Sequence, residues 1–390
     1  MDASCVGSAV LKVVIAPDSF KESLSARHAA AAIARGVRQA VPDAQIVCIP
    51  MADGGEGTLD AVLSAAGGAR KFCRVLDASG SERQGAWGLL EDNTAVIEMA
   101  TAAGLELVPP AFRQPMTACS HGVGQLIKAA LDARASRIIL GLGGSSTNDG
   151  GAGMLTALGA RFLDAEGLAL APGGAALVRL ACLDTSGLDP RLQDVAFEVA
   201  CDVDNPLCGA SGASQVFGPQ KGASADQVRE LDLALETFAN VCAAHLGVDL
   251  RDCPGAGAAG GLGFSALAFL RATFRPGVEI VAETGGLEAA INDATLVFTG
   301  EGRLDAQTLR GKTPAGVARI AQRAGVPVIA LAGALGDGYE ALYGCGVTAA
   351  FSLTSGPMTL ASACANADGL LADRARDVMR MWVKATIDLT

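Results

Sequence analysis

Residues 141–154 read GLGGSSTNDGGAGM. They follow RIIL (137–140), a short β-branched run that reads as a buried strand. They lead into MLTALGARFL (154–163), whose apolar spacing predicts a helix. Strand, glycine loop and helix together make a layout that holds phosphate. Glycines let the backbone approach, and a helix N-terminus offers unpaired N–H groups. Ser145, Ser146 and Thr147 add hydroxyls, and Asn148 and Asp149 add an amide and a carboxylate suited to a metal or a reacting hydroxyl. A tight, capped turn is the plainer reading. The number of glycines and the density of polar groups favour the ligand loop.

The same pattern recurs outward from this stretch. LKVVIA (11–16) reads as a strand and runs into Pro17, Asp18, Ser19, Phe20 and Lys21, with a helix from about Ser25 to Ala40. QIVCIP (45–50) reads as a second strand, followed by MADGGEGT (51–58) and the helix LDAVLSAA. Asp53 and Glu56 lie in that loop as hard-oxygen ligands suited to Mg²⁺; a dipole-favoured helix cap is the alternative for Glu56. FEVA (197–200) runs into CDVDNPLCG, which places Asp202, Asp204 and Asn205 at another strand end. DATLVFTG (293–300) is read as a strand ending at Gly300, with Glu301, Arg303 and Asp305 after it and Lys312 and Thr313 ahead of a helix opened by Pro314. Ligands in open α/β sheets bind at the carboxyl ends of strands.

Other segments read differently. Residues 1–10 read as a loose tail. Residues 71–100 alternate in short runs split by Ser-Gly, Gln-Gly and Asp-Asn, the mark of antiparallel hairpins, so a domain boundary is expected near residue 75. Residues 101–119 hold three prolines and read as a loop. In VFGPQKGA (216–223), Lys221 is a candidate to neutralise a phosphate, or an exposed loop lysine. PGAGAAGGLG (254–263) matches G-x-G-x-x-G without a clean strand before it and is read as a flexible loop closing onto a helix.

Composition narrows the classes. A chain of 390 residues suggests two domains, and one that is half hydrophobic, with two Trp and two Tyr, favours helix-covered parallel sheets over all-β architectures. A net charge of −11 without a long basic run makes nucleic acid and anionic membranes poor partners. Eleven Cys without a C-x-x-C pair read as reduced core thiols. No signal-peptide pattern or membrane-length apolar run is seen, so a cytoplasmic location is expected. With only three His, Asp, Glu and Lys are expected to carry acid–base and charge work. Carboxylates, hydroxyls and a few cations in glycine loops suit phosphoryl transfer, where positioning and charge neutralisation do the catalysis. A catalytically inert two-domain clamp for a small anion is the rival reading.

APDSFKESLSA, MADGGEGT, GLGGSSTNDGGAGML, CDVDNPLCGA, VFGPQKGA, PGAGAAGGLG and TGEGRLDAQTLRGKTPAGVA, in that order, resemble the signature blocks of the type I glycerate kinases and span nearly the whole chain from Leu11. The resemblance implies ATP-dependent phosphorylation of D-glycerate with Mg²⁺, with 2-phosphoglycerate the product usually associated with the family. Phosphorylation of the 3-OH and a different small hydroxy acid stay open as alternatives. It also implies an α/β fold with a Rossmann-like parallel-sheet domain (1–75 and 290–390) and an inserted α/β lid domain (76–289), the active site lying in the cleft between them. The expected roles follow. Gly143, Gly144, Ser145, Ser146, Thr147 and Lys221 hold the nucleotide. Asp149 or Asp202 receives or orients the acceptor proton. Lys21, Lys312 and Arg303 bind the glycerate carboxylate or the γ-phosphate. Asp18, Ser19 and Asp305 complete the substrate site, and Asp53 and Glu56 hold the metal. The assembly is expected to be a monomer or a homodimer.

Overall fold

The computed structural model describes residues 11–309 and 311–387; the tail expected at 1–10 lies outside them. In chain order the strands are β1 (Lys12–Ile15), β2 (Gln45–Cys48), β3 (Ala69–Leu76), β4 (Glu82–Leu89), β5 (Thr94–Glu98), β6 (Arg137–Gly141), β7 (Arg161–Leu163), β8 (Cys182–Asp184), β9 (Ala196–Ala200), β10 (Thr273–Arg275), β11 (Leu296–Leu304), β12 (Val328–Leu335) and β13 (Val347–Ser352). The chain divides into two compact units. Unit 1 comprises the residues up to Asp53, Asp60–Ala66 and everything from Val278 on; unit 2 comprises Gly54–Leu59 and Gly67–Gly277. The chain changes units ahead of β3, earlier than residue 75, because β3 pairs along its whole length with β4.

Unit 1 holds one five-stranded sheet in the order β13-β12-β11-β1-β2, parallel throughout. Its β1 reads KVVI and is buried at every position, as a parallel strand covered on both faces requires. The helices Ala26–Ala40 and Ala367–Ile387 pack on one face through Ile33, Val37, Leu371 and Met379. Ser25 starts the first of these helices by accepting from His28 N. From β1 the chain goes to β2 on one side and returns to β11 on the other. The strand order therefore reverses between β1 and β11, where sheets of this kind hold ligands. Asp18 N donates to Gly300 O at 2.8 Å and Thr299 Oγ1 to Ala16 O at 2.9 Å, which fixes the two strand ends to each other. The expectation that the strand stops at Gly300 is corrected: β11 continues to Leu304 because Arg303 and Leu304 still pair with Ala334 and Leu335 of β12. Glu301 and Arg303 are therefore strand residues.

Unit 2 holds a six-stranded sheet in the order β10-β9-β6-β5-β4-β3. The segment β3-β4-β5 is the expected antiparallel meander, and β5, β6, β9 and β10 run parallel. Arg137 on β6 grips Glu198 on β9 with Nε and Nη2 at 2.7 and 2.9 Å, and Arg275 on β10 reaches the same carboxylate at 3.1 Å, tying three strands together. The core behind the sheet is centred on Phe162, Phe238 and Phe264, whose rings pack at 5.8 and 5.5 Å. Phe238 comes from the helix Ala225–Leu246, which opens with a Ser224–Gln227 capping box. Two further expectations are corrected. The helix after the glycine loop is only Ala152–Ala157, since Gly159 takes a φ of +111° and Arg161–Leu163 forms β7. The stretch 254–263 is no flexible loop: it enters the helix Ala258–Leu270 through a left-handed kink at Ala259, Gly260 and Gly261, all buried.

Candidate active site

In unit 1 the candidate side chains lie in the segments after β1 and β2, within β11 and ahead of the helix Thr313–Arg323. Asp18 Oδ1 accepts from Ser19 N and its Oδ2 from Thr313 Oγ1, both at 2.6 Å. Burial pushes the Asp18 carboxyl up to about 6, and the Asp53 charge adds to the push, while the Thr313 and Ser19 donors oppose it. Glu301 is 9% exposed. Its Oε1 accepts from Thr308 Oγ1 at 2.7 Å, and Lys312 Nζ lies 3.7 Å from its Oε2. Burial raises Glu301 to about 7; Thr308 and Lys312 lower it, and Asp18 and Asp53 raise it. Asp18, Asp53, Glu301 and Lys312 thus share one electrostatic field in which carboxylates outnumber ammonium groups.

The other residues expected in this unit lie nearer solvent. Lys21 is exposed. Arg303 is exposed, and its Nε donates to Asp305 Oδ2 at 3.1 Å; Asp305 Oδ1 accepts from Gln307 N at 2.9 Å.

In unit 2 the glycine loop is built from behind. Asp149 is 1% exposed. Its Oδ2 accepts from Ser120 N and Ser120 Oγ at 2.8 Å each and from Gly153 N at 3.2 Å, and its Oδ1 from Gly151 N at 3.1 Å. Met154 N donates to Ser120 Oγ at 3.0 Å. These bonds correct the sequence expectation about the helix: its first N–H groups are taken by Asp149 and Ser120 and are not left for a phosphate. They also make Asp149 a brace, sealed from solvent and bonded on both oxygens. Lys221 is 1% exposed and donates from Nζ to Thr147 O at 2.7 Å. Burial lowers its ammonium to about 7, against the pull of Asp149. It is neither an exposed loop lysine nor an outward-facing phosphate ligand. Ser146 Oγ donates to Ala103 O at 2.9 Å, and Asn148 Nδ2 donates to Ser214 Oγ at 2.9 Å. Thr147 and Asn148 are fully buried and Ser145 is 8% exposed, so the part of the loop that faces outward is Gly143–Gly144.

Packing accounts for much of the glycine content. A Cβ at Gly143 would stand 2.4 Å from Gly55 Cα, so the loops GLGG and DGGEG meet backbone to backbone. A Cβ at Gly260 would stand 2.0 Å from Thr147 O, at a φ of +68°. Asp202 is exposed, and its Oδ1 accepts from Gly277 N at 3.2 Å, an environment opposite to that of Asp149. Glu56 raises the carboxyl of Glu98, although burial is the larger cause. Glu98, at the end of β5, accepts from Leu59 N at 2.6 Å and so steadies the loop that carries Glu56. Among the described residues no three His, Cys, Asp or Glu side chains gather into a metal-holding group. Sequence reasoning did not single out Glu98 and Glu301 as candidates. The usable signal was a carboxylate inside an apolar strand run, AVIE or LVFTGE, where burial is costly without a purpose.

The fold and site define a two-unit α/β protein whose polar loops cluster at the ends of parallel strands. Residues 13–383 match the model of the glycerate kinase family. The chain is 50% identical to a glycerate kinase from Halalkalibacterium halodurans over 377 residues, 96% of this chain and 99% of the relative. It is 51% identical to the glycerate 2-kinase of Escherichia coli over 351 residues, 90% of this chain and 92% of the relative. A crystal structure from Salmonella typhimurium, provisionally described as glycerate kinase 2, superposes with a TM-score of 0.88 at 48% identity, covering 97% of this chain and all of that one. The chain belongs to the glycerate kinase family. Among the described residues no helix is long and apolar enough to cross a membrane.

Proposed function

We propose that the protein transfers the γ-phosphoryl group of ATP to the 2-hydroxyl of D-glycerate. The observation that carries this reading is the cluster of Asp18, Asp53, Glu301 and Lys312 at the strand ends of unit 1, in a chain whose relatives are named glycerate kinases. The name glycerate 2-kinase, borne by the Escherichia coli relative, supports the 2-position. Lys312 and the more exposed Lys21 and Arg303 supply positive charge for the acceptor carboxylate or the transferred phosphoryl group, with Ser19 and Asp305 beside them. Gly144, the exposed residue of the loop, offers backbone to the nucleotide phosphates, with Ser145 at its edge and Gly143 packed beside it on Gly55; Ser146, Thr147, Lys221 and Asp149 set the shape of that loop from below. The excess of carboxylates over ammonium groups fits a hard divalent cation that brings its remaining ligands from water and phosphate. Asp53 is the residue of unit 1 that would hold Mg²⁺. Such an ion neutralises charge on the β- and γ-phosphates.

The test is ADP release with ATP, Mg²⁺ and D-glycerate, with the product resolved by phosphorus NMR. Formation of 2-phosphoglycerate is expected. Formation of 3-phosphoglycerate overturns the position, and no ADP above the ATP-only control, from folded protein, overturns the substrate.

A further inference from the structure

Two carboxylates occupy the point where the strand order of unit 1 reverses, and their hydrogen bonds separate their roles. Both oxygens of Asp18 already accept, one from Ser19 N and one from Thr313 Oγ1. Glu301 differs. Thr308 is fully buried, and its Oγ1 accepts from Asp305 N at 3.2 Å. That bond directs the Thr308 hydroxyl hydrogen to Glu301 Oε1, 2.7 Å away. Oε1 is therefore held as an acceptor, and any proton that Glu301 takes goes to Oε2. Lys312 Nζ is 3.7 Å from Oε2, too far for a hydrogen bond and near enough to attract the anion.

We propose that Glu301 Oε2 is the general base for the acceptor hydroxyl and that Thr308 is the positioning residue that holds Oε1 and so leaves Oε2 for the acceptor. This rests on the kinase reading above. The acceptor hydroxyl gives its proton to Oε2 as its oxygen forms the bond to the γ-phosphorus. The bond from that phosphorus to the β,γ-bridging oxygen breaks, and its electron pair leaves with ADP. Glu301 then returns the proton to solvent. Asp18, with both oxygens engaged, tethers the loop after β1 to Thr313 and takes no part in the proton transfer.

The test compares the full-length parent with Glu301→Gln, Thr308→Val and Thr308→Ser. Each is checked for folding by thermal melting and assayed for ADP release with D-glycerate and with a panel of short hydroxy acids. Glu301→Gln is expected to lower kcat about 100-fold or more while the acceptor KM moves little. Thr308→Val is expected to lose part of kcat and Thr308→Ser to recover it, because serine keeps the hydroxyl. A kcat for Glu301→Gln within about threefold of the parent overturns the base. A Thr308→Ser variant as slow as Thr308→Val overturns the positioning role. If Glu301→Gln does not fold, the Thr308 pair decides, since both variants keep the carboxylate. A parent that uses another hydroxy acid but not glycerate overturns the substrate reading alone, and the same variants are then judged with that acceptor. A folded parent without activity on any acceptor overturns both.

Discussion

Lys221 offers a perturbation whose sign and size both follow from its surroundings. Its ammonium is buried at 1% exposure, and burial lowers it from 10.5 to about 7. The unfolded chain keeps that proton to about pH 10.5, so above pH 7 it binds more protons at this site than the folded chain does. Stability should then rise with pH across the window from about 7 to 10.5. Below about 7 the folded state carries the buried charge and its full cost. The slope is limited to about 1.4 kcal/mol per pH unit, which gives a gain of roughly 2 kcal/mol between pH 7 and pH 9. Lys221→Met removes the titrating group, keeps most of the apolar stem and leaves Thr147 O without its donor, a pH-independent loss of about 1–3 kcal/mol. The assay is urea unfolding of parent and variant at pH 7, 8 and 9 in a Trp382→Phe background, so that buried Trp87 reports unit 2, which contains Lys221. Buried thiols act with the opposite sign. Burial pushes Cys119, Cys208 and Cys242 up to about 12, so the unfolded chain ionises first and stability falls as pH passes 9. That contribution is common to both proteins and cancels in their difference. The variant is therefore expected to lose ground to the parent by roughly 2 kcal/mol from pH 7 to pH 9. A difference that stays constant with pH would refute a depressed, buried ammonium at this position.

Further outcomes follow from the same loop. Asp149→Asn puts an NH₂ group among the donors Ser120 N, Ser120 Oγ, Gly151 N and Gly153 N, and is expected to cost about 2–4 kcal/mol. Urea unfolding checks this, and a variant that loses turnover while keeping parental stability would return Asp149 to the catalytic set. Gly260→Ala forces a methyl group to within 2.0 Å of Thr147 O at a positive φ. It is expected to lower the melting temperature by several degrees, a loss of a few kcal/mol in unit 2; an unchanged melting curve would contradict the close packing of residue 260 under the loop.

The strands of the parallel sheets were legible because β-branched, wholly apolar runs such as KVVI and RIIL have few other uses, and the polar residues after them marked the ligand ends. Roles within those ends were less legible, because residue type does not report direction. Asp149 stands in a glycine-rich loop after a buried strand, and its position invited a chemical role. The structure turns its carboxylate inward to gather the N–H groups that the same sequence pattern would have offered to phosphate. Lys221 is drawn inward in the same way, to Thr147 O. Glu301, in a strand run read from the sequence as ending at Gly300, keeps one oxygen apart from its Thr308 donor. The distinction depends on residues distant in sequence: Ser120 lies 29 positions before Asp149, and Thr147 74 positions before Lys221. A local pattern can announce that a loop needs anions or donors, but only the tertiary partners decide whether the protein meets that need itself or leaves it for a ligand. In this chain Asp149, Ser146 and Lys221 are met by partners within unit 2, while among the described residues Thr147 Oγ1 and Asn148 Oδ1 stay buried without one, and the asymmetry proposed to be reactive lies within β11.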